Sequence, residues 1–192
     1  MNYYILTSKD FLPKQWSGGE TTQLSIYPKG AEYSKLNFEF RLSTATVEIE
    51  SSNFTSLPGI SRQLMVLEGQ LILEHEHKHT ITLNVGDVDC FEGDWQTNSM
   101  GRCVDFNLMT TRHTKGELRA LNIESQNNLK IRLHTAYKFL CLYMYSGSVN
   151  LKFGEEDIEL HSGNFICFNT LDHSYLQLSS KLGCFGALVK IM

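Results

Sequence analysis

A pattern that occurs twice constrains this 192-residue chain more than any other feature of its sequence. The first copy runs Val66-Leu67-Glu68-Gly69-Gln70-Leu71-Ile72-Leu73, crosses a polar hairpin, and resumes as Ile81-Thr82-Leu83-Asn84-Val85-Gly86-Asp87-Val88-Asp89-Cys90-Phe91. The second runs Met144-Tyr145-Ser146-Gly147-Ser148-Val149-Asn150-Leu151, crosses Lys152–Asp157, and resumes at Ile158-Glu159-Leu160-His161-Ser162-Gly163-Asn164-Phe165-Ile166-Cys167-Phe168. Gly69 aligns with Gly147, Gly86 with Gly163, and Cys90-Phe91 with Cys167-Phe168. A glycine that ends a strand lets the backbone turn a barrel corner without steric cost. The repeat is either a duplicated half-barrel or two barrels of the jelly-roll kind, and its separation favours two. Their expected extents are 1–115 and 116–192, with strands free to cross that boundary.

The rest of the chain agrees with an all-β fold. Short apolar runs recur at Gln63–Leu73, His79–Val85, Lys138–Tyr145 and Gly183–Ile191, separated by Gly, Asn, Asp and Ser. Ile81, Leu83 and Val85 alternate with polar residues, as do Val149, Leu151 and Phe153, the period of half-buried strands. Lys115–Ser125 is expected to form a short helical turn at most.

Hydrophobic residues make up 42% and charged residues 20%, which excludes a disordered chain. A formal net charge of −4 argues against nucleic acid or an anionic membrane as partner. No apolar run is long enough to span a bilayer, and the start MNYYILTSKD lacks the pattern of a signal peptide. A cytoplasmic protein is therefore expected. The cysteines Cys90, Cys103, Cys141, Cys167 and Cys184 are odd in number and show no CxxC spacing. They are expected to be buried free thiols in a reducing compartment.

The VLEG at Val66–Gly69 and the glycine-bounded hairpin resemble the central hairpin of cupins. Further pieces resemble one branch, the HutD/Ves family, in the family's order: Trp16-Ser17-Gly18-Gly19-Glu20-Thr21, Arg41-Leu42-Ser43-Thr44-Ala45, Asn53-Phe54-Thr55-Ser56-Leu57-Pro58-Gly59-Ile60-Ser61-Arg62, Phe91-Glu92-Gly93-Asp94, and Asp105-Phe106-Asn107-Leu108-Met109-Thr110-Thr111-Arg112. The resemblance implies tandem RmlC-like jelly-roll barrels, a bicupin. It also implies a link to histidine utilisation, after whose operons the family is named, but no established activity.

Metal-binding cupins use two His spaced HxH, a Glu several residues on, and a later His. Counted back from Gly69, the Glu position holds Arg62, a permanent cation that cannot ligate a metal. The HxH positions fall near Ser56–Pro58 and the later one near Asp94–Asn98, all without His. No metal and no cofactor are therefore expected. His75, His77 and His79 alternate and would share one face of a strand, yet their place between two hairpin strands predicts a solvated turn. His161 and His173 stand too far apart to be read as ligands.

An arginine in place of the carboxylate turns a cation site into a candidate anion site. By cupin analogy Arg41 and Arg62 line the barrel mouth, and a guanidinium fork matches a carboxylate with two parallel hydrogen bonds. Ser43 beside Arg41 joins the candidate set. Asp94, Asp105 and Asn107 are candidate acceptors for a ligand amine or for the arginines, with Trp16 and Phe54 as an apolar wall. The expected ligand is a small anionic metabolite such as a carboxylated amino-acid derivative, a histidine-degradation intermediate being one such. Against this stands pure structural pairing, Arg41–Asp94 or Arg62–Asp105. Two other classes remain open: a metal-free isomerase or hydrolase with Asp94 or Asp105 as base, and an interaction module. The module would assemble with a partner or, as a homodimer, with a second copy of the chain, through aromatic residues such as Tyr143, Tyr145, Phe165 and Phe168, although core packing is the expected use of most of them.

Overall fold

The computed structural model describes residues 2–170 and 174–192, and nearly every element in it is a strand. β1 is Asn2–Leu6. It is followed by β2 (Lys14–Trp16), β3 (Gly19–Tyr27), β4 (Phe40–Val47), β5 (Ser51–Asn53) and β6 (Ile60–Gly69). Next come β7 (Leu71–His75), β8 (His79–Leu83), β9 (Val88–Glu92), β10 (Thr97–Met100) and β11 (Cys103–Thr111). The remaining strands are β12 (Gly116–Ile123), β13 (Asn128–Arg132), β14 (Phe139–Phe153), β15 (Glu156–His161), β16 (Phe165–Thr170), β17 (Tyr175–Ser179) and β18 (Cys184–Ile191). Among the described residues no helix is long and apolar enough to cross a membrane.

The chain divides into two compact units, one of residues 11–118 and one of residues 1–10 with 119–192. The first ten residues join the C-terminal unit because β1 pairs antiparallel with β16, Tyr4 opposite Cys167.

In the N-terminal unit a six-stranded sheet runs β2-β3-β4-β11-β6-β9 and a four-stranded sheet runs β5-β10-β7-β8. Strand alternation sends Leu64, Val66 and Phe91 from the first sheet and Leu71, Leu73 and Leu83 from the second into one core. Phe38, Leu57, Ile60 and Met109 form a separate buried cluster. In the C-terminal unit, Leu140, Leu142 and Met144 of β14 pack with Ile166 and Phe168 of β16 and with Leu176 and Leu178 of β17.

The aligned glycines of the repeat adopt the same backbone. Gly69 and Gly147 have φ of 82° and 74°, Gly86 and Gly163 of 88° and 81°, all in the region that side chains avoid. A Cβ on Gly147 would also run into the Gly183 carbonyl and Cys184. Gly147→Ala should therefore cost about 2 kcal/mol or more, read as a lower urea midpoint at unchanged slope. The copies differ in one respect. The first breaks at Gln70 into β6 and β7, whereas β14 continues through Gly147 as one strand with a register shift between Met144 and Ser146.

Two sequence expectations need correction. Lys115–Ser125 is no helical turn: Gly116–Ile123 is strand β12, paired with β18. The apolar spacing of Leu118 and Leu121 imitates a helix, but both side chains, with Ile123, are buried from a strand. Cys90 is exposed, while the other four cysteines are buried free thiols; it sits on β9 between inward-facing Asp89 and Phe91. Phe165 and Phe168 are wholly buried in the C-terminal unit, the core packing expected of most of these aromatic residues, while Tyr143 and Tyr145 are half-buried.

Candidate anion-binding site

Cross-strand partners in an antiparallel sheet share a face. Arg41 on β4 and Arg62 on β6 both lie opposite Met109 of the intervening β11, so both guanidinium stems leave the same side of the sheet. One step along, Ser43 and Leu64 lie opposite Asn107, and one step further Ala45 and Val66 lie opposite Asp105. Phe91 of β9 is the partner of Arg62. The sequence pattern thus places two arginines, a serine, an asparagine and an aspartate in adjoining rows, on the face that carries the core.

All five polar side chains are buried, Arg41 and Arg62 each at 7% exposure and Asp105 at 3%. Arg41 donates from Nη1 to Ser43 Oγ at 2.9 Å and from Nε to Gln23 Oε1 at 3.0 Å. Arg62 donates from Nη2 to Asn107 Oδ1 at 2.9 Å, and Asn107 donates from Nδ2 to Asp105 Oδ1 at 2.7 Å. Asn107 therefore stands between cation and carboxylate. No ion pair between either arginine and a carboxylate occurs among the described residues, and the buried Arg62 Nε has no partner. Aromatic rings cover the guanidinium faces: Tyr33 lies 4.5 Å from Arg41, Phe54 4.5 Å and Phe91 5.1 Å from Arg62.

Burial dominates the titration of these groups. It lowers Arg41 and takes Arg62 down to about 10, the neighbouring Arg41 adding to the effect on Arg62 while Tyr33 and Asp105 oppose it. Both guanidiniums remain charged at neutral pH. Burial raises Asp105 from 3.8 to about 6, against the Asn107 hydrogen bond and the Arg62 charge. Cys103, two residues before Asp105, is pushed up to about 12 by burial and then by that carboxylate, so it is an inert thiol.

Of the residues singled out from sequence, Arg41, Ser43, Phe54, Arg62, Asp105 and Asn107 come together here. Asp94 does not; it is exposed in the turn after β9. Nor does Trp16, which lies at 38% exposure on edge strand β2, its ring adjoining Gly18 along with Ile49. The alternative pairs Arg41–Asp94 and Arg62–Asp105 are not formed; Arg41 instead meets Ser43, and Arg62 reaches Asp105 through Asn107.

The expectation of a solvated histidine hairpin fails at His75. Strand β7 extends through His75, whose side chain follows Leu71 and Leu73 inward and is buried at 2% exposure. Only His79, its cross-strand partner, shares that face. His77 occupies the exposed turn with φ of 59°. His161 is exposed on β15, and His173 lies outside the described residues.

A family model described as HutD matches residues 8–185. The chain belongs to the HutD family. Solved structures agree on the fold of this HutD-family chain. A conserved protein of unknown function from Pseudomonas aeruginosa PAO1 superposes at a TM-score of 0.85 with 21% identity, over 100% of this chain and 99% of that one. HutD from Pseudomonas fluorescens SBW25, determined in a formate condition, gives 0.76 with 18% identity over 100% and 98%. A bacterial pirin from Escherichia coli in complex with nickel(II) gives 0.69 with 8% identity over 98% of each chain. Comparison with curated proteins gives no match.

The candidate site also contains residues that the sequence motifs do not mark. Gln23 holds Arg41 from β3, and Tyr33, on the short 3-10 turn Tyr33–Lys35, acts on both guanidiniums. Neither belongs to a motif. Gln23 was legible only through its register opposite Ser43, and Tyr33 lies in a connection that no periodicity describes.

Proposed function

We propose that this HutD-family chain binds a small carboxylate between Arg41 and Arg62 and acts as a sensor of that metabolite rather than as a catalyst. One observation carries the reading. Two buried guanidiniums share a sheet face, neither is ion-paired to a carboxylate among the described residues, and the buried Nε of Arg62 has no partner. An unmatched buried cation is costly, and an incoming carboxylate supplies both the charge and the acceptor oxygens. Ser43 and Gln23 fix Arg41, Asn107 fixes Arg62, and Tyr33 and Phe54 are the half-exposed side chains that a ligand displaces to reach them.

The family's association with histidine utilisation and the formate condition of the Pseudomonas fluorescens structure guide the choice of probes. Formate and N-formyl or formimino amino acids should raise the melting temperature saturably, while amines of equal size should not. At one hundred times Kd the stabilisation amounts to about 2.7 kcal/mol. Flat melting curves across the whole series contradict the proposal. Asp105, with a pKa of about 6, favours one second reading, in which it exchanges a proton with the bound carboxylate compound. Turnover of a bound compound that disappears in Asp105→Asn would identify an enzyme.

A further inference from the structure

We propose that His75, His79 and Asp89 bind one divalent transition-metal ion of the zinc or nickel class where β7, β8 and β9 meet. His75 and His79 face each other across the hairpin, with ring centroids 4.7 Å apart. Asp89 arrives from β9 of the six-stranded sheet, whereas both histidines belong to the four-stranded one. Its carboxylate spans both rings: Oδ2 is 2.8 Å from His75 Nε2, and Oδ1 is 3.3 Å from His79 Nε2. One ligand atom from each residue lies within 4.8 Å of the others. Two imidazole nitrogens and a carboxylate are a donor set that zinc accepts at about 2.0–2.2 Å, with a fourth position left for water.

The second coordination sphere suits a cation at this point. Thr97 Oγ1 lies 2.8 Å from His75 Nδ1 and 3.2 Å from the Trp95 carbonyl, so a hydroxyl that donates to the carbonyl accepts from Nδ1. In that tautomer a neutral His75 turns its Nε2 lone pair towards Asp89, as a metal ligand must. A proton serves one nitrogen–oxygen pair, whereas a metal ion serves both rings and the carboxylate together. A metal-binding histidine that donates its other ring N–H to a fixed acceptor is also the arrangement that holds ligand orientation. Phe91 at 4.6 Å and Trp95 at 5.4 Å wall the buried ring, and the His79 side chain, 40% exposed, supplies the path from solvent. These positions differ from those that metal-binding cupins use, which here hold Arg62 and the His-free stretches 56–58 and 94–98. The ion would clip the two sheets of the unit together.

The test is titration of tag-free, metal-stripped protein with cobalt(II) and then zinc, followed by visible absorption and thermal melting. The expected result is one cobalt per chain with the intense bands of a tetrahedral ion, displaced by zinc, and a saturable rise in melting temperature with zinc. His79→Ala, at a half-exposed position that leaves the core intact, should remove the bands. Thr97→Val should weaken binding by about 10- to 100-fold, and His77→Ala should change nothing. Absence of stoichiometric binding, or bands that survive His79→Ala, overturns the proposal. Loss of binding in His77→Ala would place the ion on the exposed turn and overturn it equally. None of these readouts depends on a carboxylate ligand, so this proposal and the arginine-site reading fail separately.

Discussion

Asp105→Asn should stabilise the protein by about 3 kcal/mol at pH 8, and by progressively less towards pH 4. The carboxyl titrates at 3.8 in an unfolded chain and at about 6 in its buried place on β11. An acid whose pKa is raised by folding binds more protons in the folded state between those values. The folded state is therefore favoured below pH 3.8 and loses that advantage as pH rises through 6. Above pH 6 the whole gap acts as a penalty for a carboxylate that Arg62 reaches only through Asn107. Asparagine keeps the oxygen that accepts from Asn107 and removes the charge. Urea unfolding of both proteins from pH 4 to 8 should show a difference that opens through pH 6 and then levels off. A difference independent of pH would mean that Asp105 is ionised at no cost.

The second large effect follows from the same carboxylate. Below pH 6 Asp105 is neutral and two guanidiniums face the site without a counter-charge; above it, one negative charge offsets them. Two like charges about 7 Å apart, at an effective dielectric near 20, repel by roughly 2 kcal/mol. Affinity for a carboxylate ligand should thus fall roughly tenfold or more between pH 5 and pH 8, with its midpoint near 6. Asp105→Asn should hold the tighter value throughout, and Arg62→Met should lose binding at every pH. Isothermal titration with formate or a formylated amino acid reads all three. Affinity that tightens with rising pH would show that an amine, not an anion, occupies the site.

Much of this was legible in the sequence because strands obey a period of two and glycines mark corners. Gly69, Gly147, Gly86 and Gly163 were paired from sequence, and their φ angles match. Arg41, Ser43, Arg62, Asp105 and Asn107 each sit an even number of residues from an inward-facing neighbour, so their convergence follows once β4, β11 and β6 are adjacent. Strand ends were not legible. Nothing in Glu74-His75-Glu76-His77-Lys78-His79 says that the turn begins after His75 rather than before it, and that one residue decides whether the imidazole is buried or solvated. Contacts between sheets were equally hidden. Asp89 of one sheet meets His75 of the other through packing that carries no local signature, and Tyr33 reaches Arg41 from the irregular connection before β4.

A crystal structure with saturating formate should show a carboxylate whose oxygens accept from Arg62 Nε and from Arg41, with Tyr33 or Phe54 displaced and Asn107 still bridging Arg62 to Asp105. Formate bound only elsewhere, with Arg62 turned onto Asp105 and both rings in place, would contradict carboxylate binding between the two arginines.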